Sequence, residues 1–262
     1  MRYLLQRHPI AIKAHFAHSL VLTYALSAEA LRPLVPPGLE LDTYRATEQD
    51  PELGFVAAAL VDTRALRPAR LPARFGGNFR LTGYRIFTRF RTPGGRTMRG
   101  LRILRSDTDS RLMSLGGNAL TRYNYRLARI SSQLNAGGDT LDFRVDSADG
   151  QADLQVRAHL HSAPAPLPVA SPFADQHAAR RFAGPLPYTF EHEPQTRSVV
   201  IVKAFRAHWD PQPVSVDVHR LTFFDHGPLA GTRPVLANAF HVADVDYGWH
   251  RGLRRAENGG LR

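Results

Sequence analysis

Two adjacent residues, Tyr125 and Arg126, carry side chains that could act together on a small organic acid. A buried phenol can act as a general acid or as a hydrogen-bond donor. A guanidinium can hold a carboxylate through two parallel hydrogen bonds. If these side chains face a pocket, Tyr125 could donate a proton to a ligand whose carboxylate is held by Arg126 or by Arg85.

Two further cations lie in apolar strand patterns. Lys203 shares a strand face with Val199 and Ile201, and a lysine on an apolar face can have a lowered pKa and become nucleophilic. The alternative is a lysine that reaches solvent or pairs with a carboxylate. Arg85 shares its face with apolar neighbours, so we expect it to point inward and bind an anionic ligand, or to pair with a carboxylate at the rim of a barrel.

The sequence contains 12 histidines, and this number is the main indication of a metal site. His159 and His161, at i and i+2 on a predicted strand, point to one face and could bind a metal together with His226, His241, Asp225 or Asp244. No His-Glu-x-x-His or other tight ligand spacing is present. We therefore predict neither a metal site nor a cofactor.

Two pairs of carboxylates stand close together in the sequence. Asp107 and Asp109 could perform acid–base chemistry or could belong to an ordinary turn. Glu191 and Glu193, which flank His192 just before a predicted strand, are expected to face solvent. There is no Gly-rich phosphate loop and no Ser-His-Asp arrangement in the sequence.

The composition is that of a globular protein with a strong basic bias. Of 262 residues, 43% are hydrophobic and 22% are charged, and the net charge is +11. Lys13 and Lys203 are the only lysines among 34 basic residues. A scattered arginine excess with abundant Ala, Pro and Gly is typical of a GC-rich genome, so we expect no nucleic-acid partner.

No stretch of the sequence predicts a membrane segment. The longest apolar run, Leu20 to Leu26, is broken by Thr23 and is far shorter than the roughly 20 residues that span a bilayer. The N-terminus lacks a continuous apolar region and a small-residue cleavage site. We therefore expect a cytoplasmic protein with no membrane partner, and homo-oligomerisation stays open.

Most of the chain has the pattern of β-strands. Residues Phe79 to Phe90 alternate between two faces, a Pro-Gly-Gly turn follows, and Arg96 to Arg105 reads as the returning strand of a hairpin. Short helices are predicted at Ser27 to Leu34, Leu115 to Arg122 and Pro172 to Phe182. We predict one α+β, mainly β domain over residues 1–262, with a Pro-rich internal loop near 162–168 and a basic C-terminal tail near 251–262.

Three segments, in this order, resemble the acetoacetate decarboxylase superfamily. Tyr24 to Asp42 resembles its N-terminal helix with the Leu-Arg-x-x-x-Pro-x-x-Leu-Glu exit, and Asp107 to Ile130 resembles its lysine-bearing segment. Leu221 to Asp244 resembles its Phe-Asp-His turn and following strand. The resemblance covers most of the chain and implies a cone-like antiparallel β-sheet or barrel around a small-molecule pocket, with a few short flanking helices.

The closer resemblance is to an uncharacterised branch, the YqjF-like domain of unknown function. Two features carry it: the exit Pro36-Pro37-Gly38-Leu39 from the first helix, and the motif Ala207-His208-Trp209-Asp210-Pro211 in the C-terminal half.

The chain departs from the decarboxylases at their reactive positions. The family's adjacent lysines, one of which forms a Schiff base, match Tyr125 and Arg126, and neither side chain can form an imine. The family's acidic residues fall near Val56 and Leu81. Its arginine falls near Ala17 or His18, so none of the three is retained in kind.

The resemblance and its departures together imply a rebuilt pocket, with catalysis by Tyr125 and Arg126 and ligand binding by Arg85, His18 and Lys203. The alternative is that Tyr125 only fills the space left by the lysine and its substrate. We predict a protein that binds a small anionic organic molecule in a central pocket. It would be a lyase, hydratase or isomerase of oxo- or hydroxy-acids without a Schiff-base lysine, or a non-catalytic binding protein on the same scaffold.

Overall fold

Strands make up most of the chain, as the alternation of apolar residues predicts. The computed structural model describes residues 2–160 and 165–257. The strands within these ranges are β1 (Ile12–Ser27), β2 (Glu40–Leu41), β3 (Leu53–Pro68), β4 (Gly77–Arg91), β5 (Thr97–Thr108), β6 (Tyr125–Leu134), β7 (Thr140–Ser147), β8 (Leu154–His159), β9 (Tyr188–Glu193), β10 (Ser198–Arg206), β11 (Gln212–Pro213), β12 (Ser215–Leu221), β13 (Val235–Trp249) and β14 (Leu253–Ala256). The predicted hairpin is confirmed by the pairing of β4 with β5.

The helices are short and begin at polar caps. They are α1 (Arg2–Leu5), α2 (Ala28–Leu31), α3 (Arg111–Leu120) and α4 (Gln176–Ala183), with 3-10 turns at Arg32–Leu34, Ala73–Phe75, Pro194–Thr196, Phe223–Asp225 and Gly227–Leu229. Ser110 caps α3 and Asp175 caps α4, so both helices begin about four residues from the predicted starts. Ser27 precedes α2 as predicted, but its side chain makes no capping hydrogen bond. No helix among these residues is long and apolar enough to cross a bilayer.

Seven strands close into a ring in the order β13, β1, β3, β4, β5, β9, β10 and back to β13. Strand β5 is the branch point of the fold. One edge of β5 pairs with β4 along most of its length. The other edge is divided, because Leu101 pairs with Thr189 of β9 and residues 106–108 pair with residues 125–127 of β6.

A second sheet, β6-β7-β8-β12, covers one side of the ring. Its side chains, among them Phe143 and Val156, pack against Leu20, Leu22 and Tyr84 of ring strands. The interior of a ring of about eight strands is wide enough for side chains or one small ligand but not for a second sheet, so this sheet must lie outside. Successive strand residues point to opposite faces, and alternate residues of the ring strands therefore point inside.

The two ends of the ring are covered by helical segments. Phe173 and Phe182, next to and within α4, pack against Phe55 and Phe87 at one end. At the other end α3 packs closely on β6, since a Cβ atom at Gly117 would lie 2.4 Å from the ring of Tyr125. Helical segments therefore cover both ends of the ring, while strands form its wall.

The predicted loop and tail are only partly within the described residues. Residues 165–168 of the loop near 162–168 are described, and His161 lies outside the described ranges. The predicted tail contributes β14, which pairs with β10, and residues 258–262 also lie outside the described ranges.

A buried ion-pair network joins the ring to the second sheet. Arg105 donates to both carboxylate oxygens of Asp107 at 2.7 and 2.8 Å and to both of Asp149 at 2.9 Å. The Asp107 side chain is fully buried. Burial raises the pKa of Asp107, while the hydrogen bonds from Arg105 oppose that rise. This fold therefore depends on Arg105 remaining in place.

Replacing Arg105 with Met should destabilise the protein by about 3–5 kcal/mol, because it leaves the Asp107 carboxylate buried without its partner. Urea denaturation measures the change. The matched control is Arg157→Met, whose ion pair with Asp142 is exposed on the second sheet. The control should leave the free energy of unfolding unchanged within error, and equal losses in both variants would contradict the role given to Arg105.

Candidate functional site

Arg85 carries an unpaired guanidinium on the inner face of the ring. Its cross-strand neighbours are Ala57 and Ile103, which are small or apolar. Arg85 makes no hydrogen bond or ion pair with any residue that the structure describes, and its Nε atom is shielded from solvent. Gly83 keeps space open beside it, since a Cβ atom there would come within 3.5 Å of Nε. An enclosed cation without a carboxylate is suited to bind an anion.

Tyr125 is the first residue of β6 and is held by α3. Asn118 accepts a hydrogen bond from the Tyr125 amide and donates one to its carbonyl, both at 2.8 Å. Pairing with Ser106 of β5 places the Tyr125 side chain on the inner face. Burial raises the pKa of the phenol above its usual range, while the nearby positive charge of Arg85 lowers it. The phenol therefore stays protonated and can donate a hydrogen bond at neutral pH.

Glu191, on β9, also points inside, because its neighbour Phe190 packs with Phe90 and Leu39 on the outer side. Its carboxyl is buried, and Oε1 has no hydrogen-bond partner among the described residues. Burial raises the pKa of Glu191 to about 8, although the charges of Arg102 and Arg122 oppose this. At pH 7 the group is therefore mostly a neutral acid with a free oxygen.

The branching of β5 brings these three side chains together. Arg85 lies on one side of β5, and Tyr125 and Glu191 lie on the two strands that divide its other edge. The negative charge of Glu191 and the positive charge of Arg85 both act on the Tyr125 phenol. Several inward residues are only partly buried, so a water-sized space lies beside each of them: Val21, Arg85, Ile103, Tyr125 and Thr189. One cation and two neutral donors around such a space can stabilise a carboxylate or an enolate.

The structure separates Arg126 from Tyr125. Arg126 pairs with Asp107 of β5 in the sheet, so its side chain points to the outer side of the ring. There it is exposed and forms an ion pair with Asp149 at 2.5 Å. Arg126 belongs to the network of Arg105, and it does not meet the three inner side chains.

Lys203 and His18 also lie away from the three inner side chains. Lys203 is exposed, and Lys13 is exposed as well, so neither lysine of the chain lies inside the ring. The Nδ1 atom of His18 lies 3.2 Å from Nε2 of His241. In the sheet, His18 lies opposite Asp62 of β3. Burial lowers the pKa of His18, and burial together with the charge of His18 lowers that of His241 to about 4. The two imidazoles are neutral at pH 7.

The remaining histidines do not converge on a metal. His159 binds Asp217 at 2.8 Å on the second sheet, while His226 is exposed in the turn near Asp225. Within residues 2–160 and 165–257, no group of three or more His, Asp or Glu side chains could hold a metal ion.

The expectation that Glu191 and Glu193 face solvent was wrong. Both are buried, and Glu193 forms an ion pair with Arg7 at 2.5 Å. The error has a physical cause. Both faces of β9 are covered, so the residue pattern of Tyr188 to Glu193 does not show which face is exposed to solvent. The charges of Glu191 and Arg85 also act on the buried phenol of Tyr123. The sequence did not identify this residue as part of the site, although it stands two residues before Tyr125.

Solved structures with the same fold match nearly the whole chain. An acetoacetate decarboxylase from Legionella pneumophila is 13% identical over 96% of this chain and 89% of its own, with a TM-score of 0.59. An acetoacetate decarboxylase-like enzyme from Sphingomonas wittichii is 13% identical over 97% and 95%, with a TM-score of 0.60. An enduracididine biosynthesis enzyme, complexed with the condensation product of pyruvate and imidazole 4-carboxaldehyde, is 17% identical over 97% and 92%, with a TM-score of 0.60.

At this level of identity the likeness establishes the fold alone, which is acetoacetate decarboxylase-like as the sequence resemblance predicted. No curated protein matches the sequence significantly. A model of a family of uncharacterised conserved proteins, DUF2071, matches residues 13–244, from the start of β1 to near the end of β13. The chain therefore belongs to the DUF2071 family of uncharacterised conserved proteins.

Proposed function

We propose that this protein binds a small organic anion inside the ring and acts on it by acid–base chemistry, as a lyase, hydratase or isomerase of oxo- or hydroxy-acids. The observation that carries the proposal is the guanidinium of Arg85, whose Nε atom is buried and which has no carboxylate partner among the described residues. A cation that is partly removed from water and has no partner carries a desolvation cost. A bound carboxylate would remove that cost and form two charge-assisted hydrogen bonds.

The inner side chains have complementary roles in such a reaction. Arg85 holds the carboxylate of the ligand, and the ionised fraction of Glu191 removes a proton from the carbon next to the carbonyl. Tyr125 donates a hydrogen bond to the enolate oxygen that forms, and protonated Glu191 can return the proton to carbon. A group with a pKa of about 8 is well matched to transfer protons near neutral pH.

The position of Tyr125 supports chemistry without a Schiff base. In the sequence resemblance to the decarboxylases, Tyr125 matches one of their adjacent lysines, and both lysines of this chain are exposed. The similar enzyme described above, which was obtained with a condensation product of pyruvate, supports a 2-oxo acid as the class of ligand to test first.

Non-catalytic binding is the second candidate, and one observation favours it. At pH 7 the phenol of Tyr125 and most of the Glu191 carboxyl are protonated, because burial raises the pKa of both. The three side chains would then act only as hydrogen-bond donors to a bound anion, with little base present to remove a proton.

Pyruvate distinguishes these candidates, because its methyl protons exchange with deuterium only when an enolate forms. We expect wild-type protein in heavy water to bind pyruvate and to accelerate this exchange, as measured by proton NMR. Arg85→Met should weaken binding by about 10–100-fold, the value of a lost charge-assisted hydrogen-bond pair.

The matched control is Arg126→Met, which removes an arginine from the outer face and should leave pyruvate affinity unchanged. Binding without exchange would support the non-catalytic candidate. Equal affinities of wild type and Arg85→Met would contradict the proposed binding site.

The affinity for pyruvate should fall as the pH rises through about 8, because Glu191 then loses its proton and repels the anion. If only the protonated form binds, the loss approaches tenfold for each pH unit above this value. Pyruvate remains an anion throughout this range. Glu191→Gln keeps a neutral donor and should flatten the profile between pH 6 and 9.5 in calorimetric titrations, whereas an unchanged profile would exclude Glu191 from the site.

A further inference from the structure

The wall of the ring has a gap along β13. Among the described residues, β13 pairs with β10 only at residues 247–249. Its remaining edge is partly covered by β11, which pairs with Phe240 and His241, and by Ser171, which donates to the Ala237 carbonyl at 2.7 Å. Between these contacts lies a cleft of about 270 Å³, lined on the α4 side by Gln176, His177 and Arg180 and on the β13 side by Asn238 and Phe240.

A row of inward residues leads from this cleft to Arg85. Asn238 pairs with Thr23, Thr23 pairs with Ala57, and Ala57 pairs with Arg85, so the four lie side by side on successive strands. Directly opposite residues in such pairs point to the same face. At about 4.8 Å between strands, the row spans roughly 14 Å of the wall.

The polar atoms of this row are left without partners. Asn238 is 5% exposed and Thr23 is fully buried, yet Oδ1 of Asn238 and Oγ1 of Thr23 have no hydrogen-bond partner among the described residues. Buried polar groups in native proteins are nearly always satisfied, and each exception calls for an explanation such as a ligand or a water molecule.

Asn238 stands on the wall opposite to Arg85. Strand β13 is three strands from β4 in one direction around the seven-stranded ring and four in the other. A molecule held at Arg85 would therefore direct its far end towards Thr23, Asn238 and the cleft.

We propose that the cleft between α4 and β13 is the entrance to the ring, and that the ligand is an acid whose far end carries a hydrogen-bonding group, an amide or a hydroxyl, held by Thr23 and Asn238. The inference rests on the proposed function, since Arg85 binds the carboxylate end. A hydroxyl and a side-chain amide each donate and accept hydrogen bonds. They complement a primary amide or a hydroxyl on the ligand.

The rim of the entrance carries a cation, Arg180, whose ion pair is weak. Arg180 and His177 are exposed on α4, and the ion pair of Arg180 with Asp210, at 3.8 Å, joins two exposed side chains. Such a pair contributes little and opens easily. Arg180 can therefore attract an incoming carboxylate without holding it.

Two pairs of isosteric acids test the far end of the ligand. Succinamate and glutaramate carry a terminal amide, while 4-methylpentanoate and 5-methylhexanoate carry an isopropyl group of the same shape. Calorimetry with wild-type protein should show that at least one amide binds ten times or more tighter than its isostere. Thr23→Val and Asn238→Leu, which keep the side-chain shape, should abolish this preference, with folding checked by thermal denaturation. Equal affinities within each pair in wild type would overturn the inference about the far end.

The entrance is tested by the rate of binding. His177→Trp should fill the cleft and slow the association of glutaramate at least tenfold in stopped-flow measurements, whereas His177→Ala should not. An unchanged rate in His177→Trp would overturn the entrance. Failure of the proposed function would give a different result. In that case none of the four acids would bind, or their affinities would not depend on Arg85.

Discussion

The divided edge of β5 is the constraint on which the rest of this structure depends. A strand edge ordinarily pairs with one neighbour, yet the same edge of β5 pairs with β9 at Leu101 and with β6 at its last three residues. The first pairing continues the ring, and the second starts the sheet that covers it. Arg85, Tyr125 and Glu191 come from the three strands that contact β5, so the same branching that builds two layers also brings the candidate site together.

Successive side chains of a strand point to opposite faces, so the charged residues divide between the inside of the ring and its outer side. Arg105 and Arg126 point outward and are neutralised by Asp107 and Asp149. Arg85 points inward and forms no ion pair with any described residue, and burial keeps Glu191 largely protonated at neutral pH. The outer network stabilises the fold with its charges paired, whereas the inside retains a net positive charge. A space of this kind favours an anion over a neutral molecule, because only an anion compensates the enclosed cation.

The sequence was sufficient for the local elements and for the fold family. The β4–β5 hairpin follows from alternation and a Pro-Gly-Gly turn, and the three family-like segments predict the fold. Ring closure was not predictable from periodicity, because β1 and β13 pair across more than 200 residues of chain and no local pattern encodes that register.

The candidate site was predicted only in part, for the same reason. Arg85 was singled out from its strand pattern and Tyr125 from its match to the decarboxylases' lysine pair, and both side chains lie inside the ring. Arg126 was joined to Tyr125 because they are adjacent in sequence, although adjacency on a strand sends side chains to opposite faces. Glu191 was expected to face solvent, because a carboxylate in a short polar segment resembles a surface residue until the covering of both faces of β9 is known.

A crystal structure of the protein with bound pyruvate tests the central claim most directly. The account predicts the pyruvate carboxylate inside the ring, within about 2.7–3.2 Å of the Arg85 guanidinium nitrogens. It also predicts the carbonyl oxygen facing the phenol of Tyr125. Pyruvate bound elsewhere, or an inner space closed by a direct ion pair between Arg85 and Glu191, would contradict it.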